Sequence, residues 1–477
     1  MKKNKVALLL AVAVMCTSSF TSLAATKTAV GLENNTPNGT SDAQAFVDGI
    51  KNYDSAYTKT YKSPSSVKAS DFWSKAHTIK YWSSHGANTG TVWGASNDVS
   101  VNIFDKPFSW AGGELEFVFL AACRQLDGSG RNPRSRYANA MIGNKAVRTI
   151  CGYHESAPAS IDKKIADKFI EYAKSGESVK SSWILANQYY QNLGYSTGVY
   201  CVLTHSGNVQ YSRFPGFPGS TYTRPGASST TILRFSSANP NGTTQTHSAS
   251  NYSALQKMEV PTYVLKATPV KLLPQDGIET VVLRDGNNLS MVGAEIGDED
   301  INITEQEAIE CYKSQVNKVI TNAEKINMDN MVESVTPLVM AEVNLNGGAE
   351  QENTIAYNVT LQNTYDGYEV VGNYMSGIVD DSSLIYMSGN WNKMEKVSMR
   401  SKSVIVDFDS AYSKVMENTT VQLASAGISE SKHITNSKLA FVLNDVTGYY
   451  EPTWVFDMND GSVCQVNCLS GDLNALE

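Results

Sequence analysis

The sequence predicts an α/β domain with a mainly parallel sheet, followed by an α+β region of two helix-plus-antiparallel-sheet units. Three observations carry this. Between Thr26 and Thr204 short apolar runs alternate with amphipathic segments. Residues 213–265 are then rich in Ser, Thr, Asn, Gly and Pro. Beyond them, a helical pattern followed by β segments occurs twice. Alternation of strand and helix favours parallel strands joined by crossovers, whereas a helix followed by runs of strands favours α+β.

In the first region the strand candidates are Thr28 to Leu32, Thr78 to Ser84, Glu116 to Ala122, Ala146 to Gly152 and Val199 to Thr204. The later ones show little polar alternation, as expected of strands covered on both faces. Between them Ile161, Ile165, Phe169, Ile170 and Ala173 recur at helical spacing behind Ser160, an N-cap candidate after Pro158. Trp183, Leu185, Ala186 and Tyr189 mark a second helix.

In the second region Thr304 and Glu307 form a capping-box pattern before a helix over Thr304 to Lys325, with Ala308, Tyr312, Val316, Val319, Ile320 and Ala323 on one face. Asp409 precedes another helical stretch with Ala411, Tyr412, Val415 and Met416, followed by strands Leu439 to Asn444, Pro452 to Asp457 and Ser462 to Asn467. Asn459-Asp460-Gly461 supplies a hairpin turn. The expected organisation is a signal peptide over 1–24, an α/β domain over 25–212, a polar connection over 213–265, and α+β units over 266–400 and 401–477.

The signal rests on three lysines in Met1 to Lys5, the apolar run Val6 to Met15, and Ser22-Leu23-Ala24 as a cleavage site. That run is too short to span a bilayer, and no later stretch reaches the roughly 18 apolar residues needed. The expected product is secreted or held at the cell envelope, with no transmembrane segment in the mature chain. Lys+Arg 39 against Asp+Glu 47 gives a net charge of −8, and removing three lysines leaves 36 − 47 = −11. A nucleic-acid binder would carry a basic excess, so that class is set aside. Six of the seven cysteines remain in the mature chain, too sparse for a disulfide scaffold. No Cys/His spacing fits zinc, and neither 297–302 nor 457–460 has the EF-hand alternation, so no metal or cofactor is expected.

Two blocks end predicted strands: Ile79 to Gly86, finishing Ser84-His85-Gly86, and Glu116 to Cys123, finishing Ala121-Ala122-Cys123. The carboxyl edge of an α/β sheet is where ligands and catalytic groups collect. A thiol there can act as a nucleophile if an imidazole takes its proton, and a glycine lets a backbone N–H approach an oxyanion. The alternatives are a strand-ending turn at His85-Gly86 and a small buried apolar residue at Cys123. Cys151 ends the next strand, and a Cys123–Cys151 disulfide would remove the nucleophile. His154 and Glu155 follow on the same edge and could line a substrate pocket or select a basic group, the alternative being an exposed loop pair. Trp93 and Trp110, lying between the two blocks, could shape subsites, against which stands the plainer reading of core or hairpin packing residues. Gly194 to Gly198 matches G-x-S-x-G but runs from helix into strand, the wrong order for a nucleophile elbow.

A hydrophobic strand ending His85-Gly86, followed by one ending Ala122-Cys123, resembles the caspase-like cysteine peptidases, which include legumain, clostripain and gingipain, and an exported bacterial family sharing their fold. The resemblance covers about residues 27–205. It implies a caspase-like α/β fold, His85 as general acid/base, Cys123 as nucleophile, and the amides of Gly86 and Cys123 as the oxyanion hole. Ala121 stands where those peptidases often have an acidic residue or Gln. Residues 363–391 resemble the fungalysin/thermolysin propeptide unit, and 439–472 look like a PepSY domain. Together these imply an exported cysteine peptidase or amide hydrolase acting on a peptide or protein, with a C-terminal module that contacts the catalytic domain or binds a partner. The alternative is a catalytically inactive caspase-fold binding protein of the cell envelope.

Overall fold

The computed structural model describes residues 27–476, leaving out 35–40, 95–98, 144–146, 160, 194, 196, 207–211, 221–230, 238–248, 271–280, 286–287, 294, 320–330, 382, 399–404, 427–432 and 459–462. The signal peptide, the Ser160 cap, Gly194 and Ser196 of the G-x-S-x-G match, the core of the polar connection and the turn at 459–461 lie outside the described residues.

The chain opens with strand β1 (Thr28–Glu33), helix α1 (Asp42–Tyr53), strand β2 (Thr58–Lys62), the single-turn helix α2 (Ala69–Trp73) and strand β3 (Ile79–Ser83). A small separate sheet follows, made of β4 (His85–Gly86), β5 (Thr91–Trp93) and β6 (Ser100–Asn102). Then come β7 (Phe117–Ala121), α3 (Pro133–Ala140), β8 (Thr149–Tyr153), α4 (Asp162–Lys174), α5 (Val179–Asn192) and β9 (Tyr200–His205). Strands β2, β1, β3, β7 and β8 pair in that spatial order, all parallel.

Local chemistry fixes these elements. Ser41 caps α1 by accepting from the Gln44 amide, and Phe46, Val47 and Ile50 point the helix inward. Gly31 is required under α1, because a Cβ there would stand 2.4 Å from the Ala43 carbonyl oxygen. Helix α4 starts behind Ile161, whose side chain makes no capping bond.

The parallel order stops at β9, which runs antiparallel to β8. Strand β10 (Ile232–Ser237) is antiparallel to β9 and then to β14 (Met331–Glu342), so the sheet continues into the C-terminal half. After β10 the chain forms helix α6 (Ala249–Leu255), strands β11 (Tyr263–Pro269), β12 (Val281–Asp285) and β13 (Asn288–Val292), and helix α7 (Glu305–Val319). Strand β14 leads a long antiparallel meander with β15 (Asn353–Tyr365), β16 (Tyr368–Val379) and β17 (Leu384–Asn390). Strand β18 (Asn392–Ser398), helix α8 (Phe408–Ala426) and strands β19 (Ile434–Asn444), β20 (Tyr449–Met458), β21 (Val463–Asn467) and β22 (Leu473–Leu476) complete it. The capping box forms as the sequence predicts: the Thr304 amide donates to Glu307 at 2.8 Å, and the Glu307 amide donates back to the Thr304 hydroxyl at 3.3 Å.

This overturns the predicted fold class. The main sheet counts 19 strands among the described residues, mixed and mainly antiparallel, with helix the minor component. It is not a caspase-like, mainly parallel sheet followed by a separate α+β region. The physical reason is visible at β9. Its residues are all buried, as in a doubly covered parallel strand, yet it is an antiparallel strand between β8 and β10. Burial on both faces carries no information about direction. Within 213–265, read as a polar connection, β10 is a sheet strand and β11 begins.

One hydrophobic core crosses the two halves. Phe46, Phe119, Phe169, Trp183 and Phe214 cluster with Leu338, Ile355, Ile378 and Tyr386. Helices α4 and α5 therefore touch the N-terminal sheet on one side and the β14–β17 meander on the other. The Tyr172 and Tyr386 hydroxyls meet at 2.7 Å across this seam. Glu295 accepts from Ser178 and Ser181 at the start of α5, and Lys180 donates to the Ile296 carbonyl.

Candidate active site

The parallel register brings His85, Gly86 and Cys123 together. Ser83 is level with Ala121 in the β3–β7 pair, and the Ser84 amide extends the pairing by donating to the Ala121 carbonyl at 3.1 Å. Two residues further along each chain stand His85 and Cys123. A Cβ on Gly86 would lie 2.3 Å from the Cys123 carbonyl oxygen and 3.1 Å from its nitrogen, so only glycine fits there. His85 is exposed, and its ring stacks on the Trp93 indole at 5.7 Å between centroids. Cys123 is half-buried, and its thiol is free.

The turn after Cys123 is held from several directions. Arg124 takes a left-handed φ of 58°, which is strained for a residue with a Cβ and is a conformation that collects at functional sites. Its amide donates to the Glu155 carbonyl at 2.8 Å, and the Leu126 amide donates to the Tyr153 carbonyl at 2.9 Å. The buried Gln125 ties this turn to the His85 loop. Its Nε2 lies 3.2 Å from the carbonyls of Ala87, Thr91 and Cys123, while its Oε1 accepts from the Tyr137 hydroxyl at 3.0 Å.

The Cys123 sulfur accepts from the Ala157 amide at 3.3 Å. Burial nevertheless pushes the thiol pKa up. The Ala157 bond acts downward against it, and the Asp162 carboxyl adds to the upward push.

The other expected site residues part company. The Glu155 backbone is fixed at the cysteine turn, as described. His154 lies on the far side of that turn, with Nδ1 3.7 Å from Asp127 Oδ1. Trp93 borders His85, but Trp110 does not reach the site. It is 1% exposed and packs against Phe72, Phe108 and Tyr137 in the core on the opposite face of the sheet. Of the two roles the sequence leaves it, Trp110 takes core packing and not the subsite. Cys151 is buried and free on β8, as is Cys201 on β9. Among the described residues no group of three or more His, Cys, Asp or Glu is placed to hold a metal ion, and no helix is long and apolar enough to cross a membrane.

Sequence reasoning missed the acidic layer beneath the thiol. Side chains on the α1/α4 face of the sheet alternate through Ala29, Ile79, Tyr81 and Phe117, Phe119, Ala121, which puts Glu33 and Ser83 on the same face, and Asp162 acts electrostatically on the Cys123 thiol. Asp42 opens α1 and Asp162 opens α4 on that face. Asp42 Oδ2 accepts from the Tyr81 hydroxyl at 2.9 Å, and Ser41 donates to Glu33 Oε2 at 2.7 Å. All three carboxyls are buried, and burial followed by mutual repulsion drives the pKa of Glu33 up to about 8 and that of Asp162 well above the carboxylate range. Asp42 is raised as well, by burial first. The available signal was Glu33, an acid ending an otherwise apolar strand on the same edge as His85 and Cys123.

Residues 24–231 match a family model described as "Domain of unknown function (DUF6345)". No curated protein matches the chain.

Proposed function

We propose that the chain is an exported cysteine-type amide hydrolase whose Cys123 and His85 act on a peptide bond. The observation that carries this is the close seat of Gly86 on the Cys123 backbone, which brings together the ends of the two adjacent strands that bear the exposed His85 and the half-buried Cys123. Likeness of the His85-Gly86 and Ala122-Cys123 blocks to those of caspase-like peptidases supports the same reading from the residues alone. The sheet as a whole does not enter it.

In this reading His85 takes the thiol proton as the Cys123 sulfur attacks the substrate carbonyl carbon. A C–S bond forms, the carbonyl π pair moves to oxygen, and the amides of Gly86 and Cys123 receive the oxyanion. The C–N bond then breaks as His85 hands its proton to the leaving amine. Water, deprotonated by His85, cleaves the thioester to release the acid and restore the thiol. The likeness of residues 363–391 and 439–472 to propeptide and PepSY sequences supports reading the C-terminal half as a segment that modulates this site or binds a partner.

A mixed peptide library digested by the full chain, with new termini read by mass spectrometry, tests the proposal. Cleavage that disappears in Cys123→Ser and falls at least a hundredfold in His85→Ala is expected. Cleavage surviving Cys123→Ser, or none at all, would overturn it. The raised thiol pKa favours a second reading, a catalytically silent binding protein, for which no library peptide is cut.

A further inference from the structure

The C-terminal sheet turns one face to a helix and the other to a groove. On β20 and β21, Trp454, Phe456, Cys464 and Val466 pack with Phe408, Ala411 and Val415 of α8. Side chains alternate along a strand, so Thr453, Val455, Gln465 and Asn467 point the other way, where they line a groove of about 1680 Å³. Asn192 and Leu193, at the end of α5, line it as well, and none of its described lining residues belongs to the ends of β3 and β7. The volume exceeds the roughly 300–1,000 Å³ of a small-molecule pocket, which suits an extended ligand. The uncovered face of an antiparallel sheet is ordinarily solvated. This one is recessed: Glu451, Thr453, Gln465 and Asn467 are 6%, 4%, 9% and 8% exposed.

The inner charges of this face are answered within it. Glu451 Oε2 accepts from Asn444 Nδ2 at 2.9 Å and from Asn467 Nδ2, and Oε1 accepts from the Thr447 hydroxyl at 2.8 Å, so one carboxylate ties β19, β20 and β21 together. Lys438 Nζ donates to Glu369 Oε2 at 2.7 Å. Two neutral amides are left over. Gln465 on β21 and Asn474 on β22 stand opposite each other in the strand register, and both line the groove. Neither side chain makes a hydrogen bond to a described residue. For Gln465, nine-tenths buried, that is costly unless an occupant of the groove supplies donors and acceptors. Val455, level with Gln465 on β20, and Val463, two residues before it on β21, set an apolar patch beside the amides.

We infer that this groove is a binding site for a neutral oligosaccharide. A side-chain amide offers donors and an acceptor in one plane, and a hydroxyl both donates and accepts, so neighbouring sugar hydroxyls satisfy Gln465 and Asn474 with no net charge. The C–H faces of the rings rest on Val455 and Val463. Among the described lining residues seven are amides, five are carboxylates and two are lysines. A cation would find Glu451 and Glu369 already engaged, and an anion would meet more carboxylates than lysines. An apolar ligand would leave the amides bare. A peptide adds to a sheet through main-chain groups at an edge, whereas on this face the main chain is engaged in the β19–β22 ladders. The inference does not depend on the hydrolase reading, and it gives the C-terminal half a partner of defined chemistry.

Calorimetric titration of the full chain with cellohexaose, maltohexaose, mannohexaose, xylohexaose and N-acetylchitohexaose tests the site. Saturable binding of at least one of them, weakened at least tenfold by Gln465→Leu or by Asn474→Leu, is the expected result. Asn474 is exposed, so Asn474→Leu should unfold at the wild-type temperature, which keeps a loss of binding from being a loss of fold. Hexagalacturonate, an acidic oligosaccharide, should bind at least tenfold more weakly than the best neutral one. No neutral hexasaccharide bound at millimolar concentration, or binding that both variants weaken less than tenfold, overturns the site. Hexagalacturonate bound as tightly as the neutral sugars overturns the ligand class. Library peptides retained by the Cys123→Ser chain and released by adding Asn474→Leu, with no sugar bound, would make this a peptide groove and overturn the inference.

Discussion

The Ala157 amide donates to the Cys123 sulfur at 3.3 Å. A donor on sulfur favours the thiolate, but burial and Asp162 act the other way and win, so the thiol pKa lies above its ordinary value. The rate of Cys123 alkylation by iodoacetamide, followed by mass spectrometry across pH, should therefore rise at higher pH than for a free cysteine. Asp162→Asn removes one upward influence and should shift the profile to lower pH. A profile unmoved by that substitution would show that Asp162 does not act on the thiol.

The acidic layer makes a stability prediction whose sign is opposite to that of a salt-bridged carboxylate. Glu33 titrates near 8 in the folded chain against 4.5 ordinarily, so between those values the folded state holds a proton that the unfolded state has lost. Its contribution is complete below about pH 4.5 and is lost as pH rises to about 8. The groups facing it are Asp42, Asp162 and Ser41, with Tyr81 and Tyr153 alongside. Glu33→Gln cannot ionise. The difference in unfolding temperature between this variant and the wild type should widen in the variant's favour from pH 5 to pH 8, by several degrees. A constant difference would mean that Glu33 is ionised throughout.

Gly86→Ala tests the contact that assembles the site. The added Cβ would press on the Cys123 carbonyl oxygen and on Gln125 Nε2, at 2.3 and 2.8 Å. The strand ends must separate, so library cleavage should fall at least tenfold in a chain that still folds, because misplacing reacting groups by about an ångström costs on the order of a hundredfold. Unchanged cleavage would mean that the approach of Gly86 is incidental.

The sequence named His85, Gly86 and Cys123 as the candidate site and misjudged the sheet around them. His85 and Cys123 stood out because each follows a short apolar strand, and the pairing of β3 with β7 came only from the fold. Direction was not readable. Residues 200–205 are apolar and fully buried whether their neighbour runs parallel or antiparallel, so β9 looked like one more parallel strand. Ile232 to Ser237 are six residues in a polar stretch, too few for periodicity to separate from a loop, yet they join the two halves. Asp42 and Asp162 were hidden because an acid at a helix start is the ordinary pattern. Only the fold shows that two such starts and the end of β1 converge.

The two tryptophans separate core from site. Trp110 is 1% exposed and packed among Phe72, Phe108 and Tyr137, whereas Trp93 is 37% exposed and stacks on His85. Truncating a large buried aromatic removes its transfer free energy and leaves a cavity, so Trp110→Ala should cost about 3–5 kcal/mol of stability. Trp93→Ala leaves little cavity and should change stability by less than about 1 kcal/mol. The stacked indole instead restrains the imidazole, and its loss should lower library cleavage several-fold while the unfolding midpoint in urea stays near that of the wild type. If the two variants lose stability equally, Trp93 is a packing residue as well, and the imidazole is positioned by its backbone, through the Ser84 hydroxyl that donates to the His85 carbonyl at 2.8 Å.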